Sequence, residues 1–120
     1  MNDKTKKPVL LEICTTCLGE NKHKIGAEFY AEVAKQIGSR NINLQAVECL
    51  GVCNRPCTVA VSEPEKWTYI IGGFKVATDI PALFDYVVAY ANSPNGRPPI
   101  SERPEVVQKG VVARVPPRNY

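Results

Sequence analysis

The residues best equipped for chemistry are Cys14-Thr-Thr-Cys17 and Cys49-Leu-Gly-Val-Cys53, with Cys57 four positions further on. All five cysteines of the chain fall between positions 14 and 57. Four thiolates in two short pairs can hold an iron–sulfur cluster or a zinc ion. One Cys-x-x-Cys on its own can cycle between dithiol and disulfide. The N-terminus carries an apolar run too short for a signal peptide, and no stretch approaches the roughly 18–20 apolar residues of a membrane span, so a cytoplasmic location is expected. In that reducing compartment, grouped thiols bind metal or do redox chemistry more often than they form structural disulfides.

The elements that must position these thiols follow from periodicity. Residues 8–13 (Pro-Val-Leu-Leu-Glu-Ile) predict a short, mostly buried strand ended by Thr15-Thr16. Ile25, Phe29, Val33 and Ile37 recur every four residues and predict a helix over 24–38 with Gly38 as its stop. Residues 42–48 alternate as a second strand, with Ile42, Leu44 and Ala46 on one side. Residues 57–62 and 67–72 flank Glu63-Pro64-Glu65-Lys66 as a β-hairpin. A second helix is expected at 79–92, capped by Thr78 or Asp79 with Pro81 in its first turn. This β-α-β unit followed by a hairpin and a helix is an α/β, thioredoxin-like layout.

Parallel strands joined by one crossover end at the same edge of a sheet. Cys14 and Cys17 leave the first strand there, and Cys49 and Cys53 leave the second. The four are therefore candidate ligands of one [2Fe-2S] cluster, with Gly19 and Gly51 letting the loops fold closely around it. Two rivals use the same residues. A four-cysteine zinc site needs the same tetrahedron of thiolates, but such sites usually hold small folds with poor cores. A dithiol oxidoreductase would use Cys14 and Cys17 and leave Cys49 and Cys53 without a role. A Rieske centre needs two histidines, and the chain has only His23, which reads as solvent-facing. Cys57 reads as a buried small apolar residue or as a substitute ligand for Cys53 or Cys14.

The charge of +3 lies entirely in the C-terminal segment. Residues 1–92 hold ten Lys/Arg and ten Asp/Glu, whereas 93–120 hold Arg97, Arg103, Lys109, Arg114 and Arg118 against Glu102 and Glu105. No basic face interleaved with aromatics is visible in the pattern, so no nucleic-acid partner is expected, and no membrane. Residues 1–92 are read as the domain. Residues 93–120, with six of the ten prolines, are read as an extended Pro-rich basic tail: either a mobile appendage or a clamp made by Val106-Val107, Val111-Val112 and Tyr120. No general base, nucleophilic triad or phosphate-cradling loop is visible, so no enzymatic site is expected apart from the alternative dithiol of Cys14 and Cys17. Lys22 and Lys24 read as solvated lysines or as steering charges for an acidic partner.

The run Cys49-Leu-Gly-Val-Cys53-Asn-Arg-Pro-Cys57-Thr-Val-Ala-Val, followed by Lys66-Trp67-Thr68-Tyr69, resembles the second half of thioredoxin-like [2Fe-2S] ferredoxins. With the closing Val111-Val-Ala-Arg-Val-Pro116, the chain is similar over nearly its whole length to a bacterial family labelled predicted metal-binding proteins. The resemblance implies single-electron transfer with Cys14, Cys17, Cys49 and Cys53 as ligands, reductase and acceptor proteins as redox partners, and a homodimer. Relatives of that family lie near cobalamin-synthesis genes, which implies a corrinoid-linked reductive step. In the better-known thioredoxin-like ferredoxins, the first two cysteines stand farther apart than Cys14 and Cys17 do.

Overall fold

Alternation decides the first strand. In the computed structural model, which describes residues 8–16, 24–48 and 57–117, Val9, Leu11 and Ile13 of β1 (Val9–Cys14) are at most 2% exposed, while Leu10 and Glu12 are half-buried. The odd-numbered side chains therefore face the core. Helix α1 (Ile25–Gln36) buries Gly26, Phe29 and Val33, a stripe with the spacing of a one-faced helix. Gly38 ends it at φ +57, and Arg40 Nη1 donates to the carbonyls of Gln36 (2.8 Å) and Ile37 (3.2 Å), satisfying two of its last acceptors. The crossover returns the chain as β2 (Ile42–Val47), parallel to β1 from Val9↔Ile42 to Cys14↔Val47.

On the other side of β1 runs β3 (Val59–Ser62), antiparallel, followed by the hairpin partner β4 (Thr68–Ile71). Helix α2 (Ile80–Asn92) carries Pro81 in its first turn as expected. Asp79 stands at its N-cap, but the Asp79 carboxylate accepts the N–H of Lys75 (2.8 Å) and makes no bond to the helix. The observed elements follow the expected order, with ends shifted by one or two residues. Side chains of α1, α2 and the odd face of β1 join one hydrophobic core.

Residues 93–117 are folded where an extended tail was expected over 93–120. A 3-10 turn (Ile100–Glu102), a short helix α3 (Glu105–Gly110) and a strand β5 (Val111–Val115) complete a five-stranded sheet of order β2-β1-β3-β4-β5. The reason is apolar: Val107 is fully buried in the core, with Val106 and Val111 packed against it. Tyr120, the other member of the expected clamp, lies outside the described residues. Gly110 makes the junction. Its carbonyl accepts the N–H of Gly72 (2.9 Å), and a Cβ on Gly110 would collide with the Gly72 carbonyl.

A second junction forms at the far end of β4. Lys66 Nζ pairs with Glu63 (3.1 Å), both side chains nearly buried, and also donates to the Tyr90 and Ala91 carbonyls at the end of α2. The cation thus complements both a carboxylate and a helix C-terminus. Tyr90 Oη donates to the Trp67 carbonyl (2.6 Å), and Trp67 N–H donates to Asn95 O (3.0 Å). Gly96, at φ +76, lets this turn press onto Lys66 and Trp67.

These contacts set two expectations for stability. Gly110→Ala should cost roughly 2–3 kcal/mol, read as a lowered urea midpoint, because backbone must move where β5 enters the sheet. Burial pushes the hydroxyls of Tyr86 and Tyr90 well above the ordinary tyrosine value of 10.0. Above that pH an unfolded tyrosine releases a proton that the native one keeps. Stability should therefore be unaffected by these groups below about pH 10 and fall steadily above it, measured as ΔG of unfolding against pH.

Candidate metal centre

The site begins with the end of β1. Because β1 and β2 are parallel and Cys14 stands opposite Val47, both strands stop at one rim. β3 starts at that same rim, since Ile13 pairs with Val59. The rim is stitched by backbone and threonine bonds. Cys14 N–H donates to Thr58 O (3.0 Å), and Thr15 gives both its N–H (2.9 Å) and its Oγ1 (3.1 Å) to Val47 O. Thr16 Oγ1 donates to Glu48 O, and Cys14 Sγ lies 3.5 Å from that same carbonyl. The last described residue after β1 therefore touches the last described residue after β2.

Cys14 and Cys57 reach this rim differently. Cys14 follows Ile13 by one residue, so its side chain leaves on the opposite face of the sheet. It is 2% exposed yet is not part of the main core. Cys57 precedes Val59 by two and joins the core, fully buried, with Sγ 3.7 Å from Ile25 O at the start of α1. Its backbone exchanges two hydrogen bonds with Phe74 (3.3 Å each), and Phe74 stacks on Phe29 at 5.8 Å. Of the two readings of Cys57, this placement is that of a core residue.

The structure brings Cys14 to the rim. Cys17, Cys49 and Cys53 lie outside the described residues, as do Gly19, Gly51, Lys22 and His23. Lys24 is exposed beside the first turn of α1. Among the described residues, no group of three or more His, Cys, Asp or Glu side chains comes together as a metal site. No described helix is long and apolar enough to cross a membrane.

The residues that reading for chemistry overlooked are Thr15 and Thr16. They look like spacers within Cys-x-x-Cys, but their hydroxyls bind the end of β2 and hold the two chain exits together. Short hydroxyl side chains that bond nearby carbonyls are the signal that could have found them.

The family described as "Protein of unknown function (DUF1636)" matches residues 11–117. No curated protein matches the sequence. A solved structure described as a thioredoxin-like [2Fe-2S] ferredoxin from Aquifex aeolicus is similar with a TM-score of 0.58 at 13% identity, over 95% of this chain and 99% of that one. At that identity the likeness is one of fold, and the fold here is thioredoxin-like.

Cys57→Ala should lower stability by about 1 kcal/mol through the lost sulfur contact and the small void left behind. It should leave the metal content of the purified protein unchanged, measured by urea unfolding beside elemental analysis.

Proposed function

We propose that this chain, which belongs to the DUF1636 family, is a one-electron carrier holding a single [2Fe-2S] cluster on Cys14, Cys17, Cys49 and Cys53. The observation that carries the reading is the contact between Thr16 and Glu48 at the common end of two parallel strands. Cys17 and Cys49 are each the next residue in the chain, one peptide unit (about 3.8 Å between Cα atoms) beyond a pair already in contact. Four thiolates on chain exits from one rim form a donor set suited to two irons. The ferredoxin of similar fold supports the same chemistry.

When bound, the cluster supplies a one-electron couple. The chain's own part is to hold the thiolates and to shape their surroundings. The rim bonds of Thr15 and Thr16 fix the exits from which the ligands come. Burial of Cys14 would keep water from its sulfur, one of the influences on a bound cluster's potential. Electrons arrive from a reductase and leave to an acceptor by transient docking over the rim. The homodimer and the corrinoid-linked destination implied by the resemblance belong to this same reading.

Two features favour a ligand role for Cys14 over that of an attacking thiol. It is 2% exposed, and α1 begins at Ile25, eight positions past Cys17, so the Cys-x-x-Cys does not open that helix in the chain. Anaerobically purified protein should be brown, with visible absorption and about two irons and two acid-labile sulfides per chain. Cys14→Ala should lose most of both while the far-ultraviolet circular dichroism is retained. A colourless protein with one zinc would establish the four-cysteine zinc module instead. A metal-free protein that reduces insulin disulfides through Cys14 and Cys17 would establish the oxidoreductase.

A further inference from the structure

Three arginines of the basic C-terminal segment are set by the fold over the neighbouring rings of Trp67 and Tyr69. Arg97, beyond α2, and Arg114, in β5, both set their guanidinium groups over the Trp67 ring, at 5.1 and 5.2 Å from its centre. Arg103 lies 5.5 Å from the centre of Tyr69 and is anchored by Nε donating to Pro98 O (2.9 Å). Among the described residues, the ion pairs are Lys35–Glu32, Lys66–Glu63 and Lys109–Glu105, so none of these three arginines is neutralised by a described carboxylate. The same region carries an edge. β5 is the last strand of the sheet, with β4 on one side and no described strand on the other, and its Val112 is 41% exposed.

We propose that the outer edge of β5 docks an extended acidic segment of a partner protein. The segment's backbone continues the sheet, and its carboxylates are received by Arg97 and Arg114. Three physical points select this occupant. An open strand edge offers a row of N–H and C=O groups to another extended chain. A guanidinium stacked on an indole is held in place while its N–H fork still points outward, so less side-chain freedom is lost when a carboxylate binds. Pairing β5 with β5 of a second copy would bring like-charged Arg114 side chains together, which disfavours self-association at this edge. A nucleic-acid strand fits less well, because both arginines already stack on Trp67 and Tyr69 is 1% exposed, leaving little ring surface for bases.

The β5 edge is separated from β1 by β3 and β4, and its arginine end is at the opposite end of β4 from the cysteine rim. Arg114 pairs with Tyr69 near the start of β4, whereas Ile71 at its end connects through Val59 to Ile13, the neighbour of Cys14. A segment bound there leaves the rim open, and the proposal stands whether or not the cysteines hold a cluster.

The probe is a short fluorescein-labelled peptide of alternating glutamate and valine, titrated with the full chain at low salt and followed by anisotropy. Saturable binding is expected, weakened by added salt and at least about tenfold weaker in Arg97→Gln/Arg114→Gln, with Cys14→Ala unaffected. Hydrogen exchange on the unmutated protein should show new protection along residues 111–115 when the peptide is present, a readout that survives if the double variant does not fold. Equal affinity in a folded double variant, or protection elsewhere, would overturn the proposal. So would preferential binding of oligothymidylate or phosphatidylserine vesicles, or protection of β5 by self-association without peptide.

Discussion

The parallel pairing of β1 with β2 is the constraint on which the rest depends. A parallel partner cannot be reached by a hairpin, so the chain must cross over, and α1 is that crossover. The helix is held there by Phe29 and Val33, fully buried against the odd face of β1. Once Val9 is set against Ile42, every later pair follows, and Cys14 arrives opposite Val47. A slip of one residue would reverse each side chain of β2 against the core, so apolar Ile42 and Leu44 fix the register that brings the two chain exits together. The meeting of the strand ends at the rim is thus set by packing at the opposite end of the strands.

Charge and glycine complete the sheet on its other flank. Lys66 sits where the hairpin, the end of α2 and the turn around Gly96 converge, and its ammonium answers a carboxylate and two helix carbonyls at once. Removing either ionic partner would strand the other in a poorly hydrated place, which makes this arrangement a determinant of how the C-terminal segment enters. Gly96 and Gly110 then permit two close backbone approaches, onto Trp67 and onto Gly72. Between them the short α3 buries Val107, and the chain emerges in line to pair with β4.

This explains which parts of the molecule were legible in the sequence. The β-α-β unit, the hairpin and α2 announce themselves by period, because each buries a face made of its own residues. The C-terminal segment does not. Its prolines break any period, and Val107 and Val111 matter only through partners in the core and β4 that no local window contains. For the same reason, the arginines look dispersed along the chain, and only the turn at Gly96 and the pairing of β5 with β4 set Arg97 and Arg114 over Trp67. At the site, the meeting of the two strand ends was legible from topology. The part played by Thr15 and Thr16 was not, because it depends on the carbonyls of Val47 and Glu48 lying within reach.

Side-chain parity separates the two described thiols more sharply than their burial does. Cys14 and Cys57 are both almost inaccessible, yet they lie on opposite faces at one end of the sheet. Cys57 shares the helix-covered face with Val59, Ile13 and Phe29, where a sulfur fills space among apolar side chains. Cys14 is on the other face, where its sulfur lies 3.5 Å from the carbonyl of Glu48 after β2. The surplus cysteine therefore belongs to the packing that holds the rim steady, and the thiol at the strand end to the seam between the ends of β1 and β2.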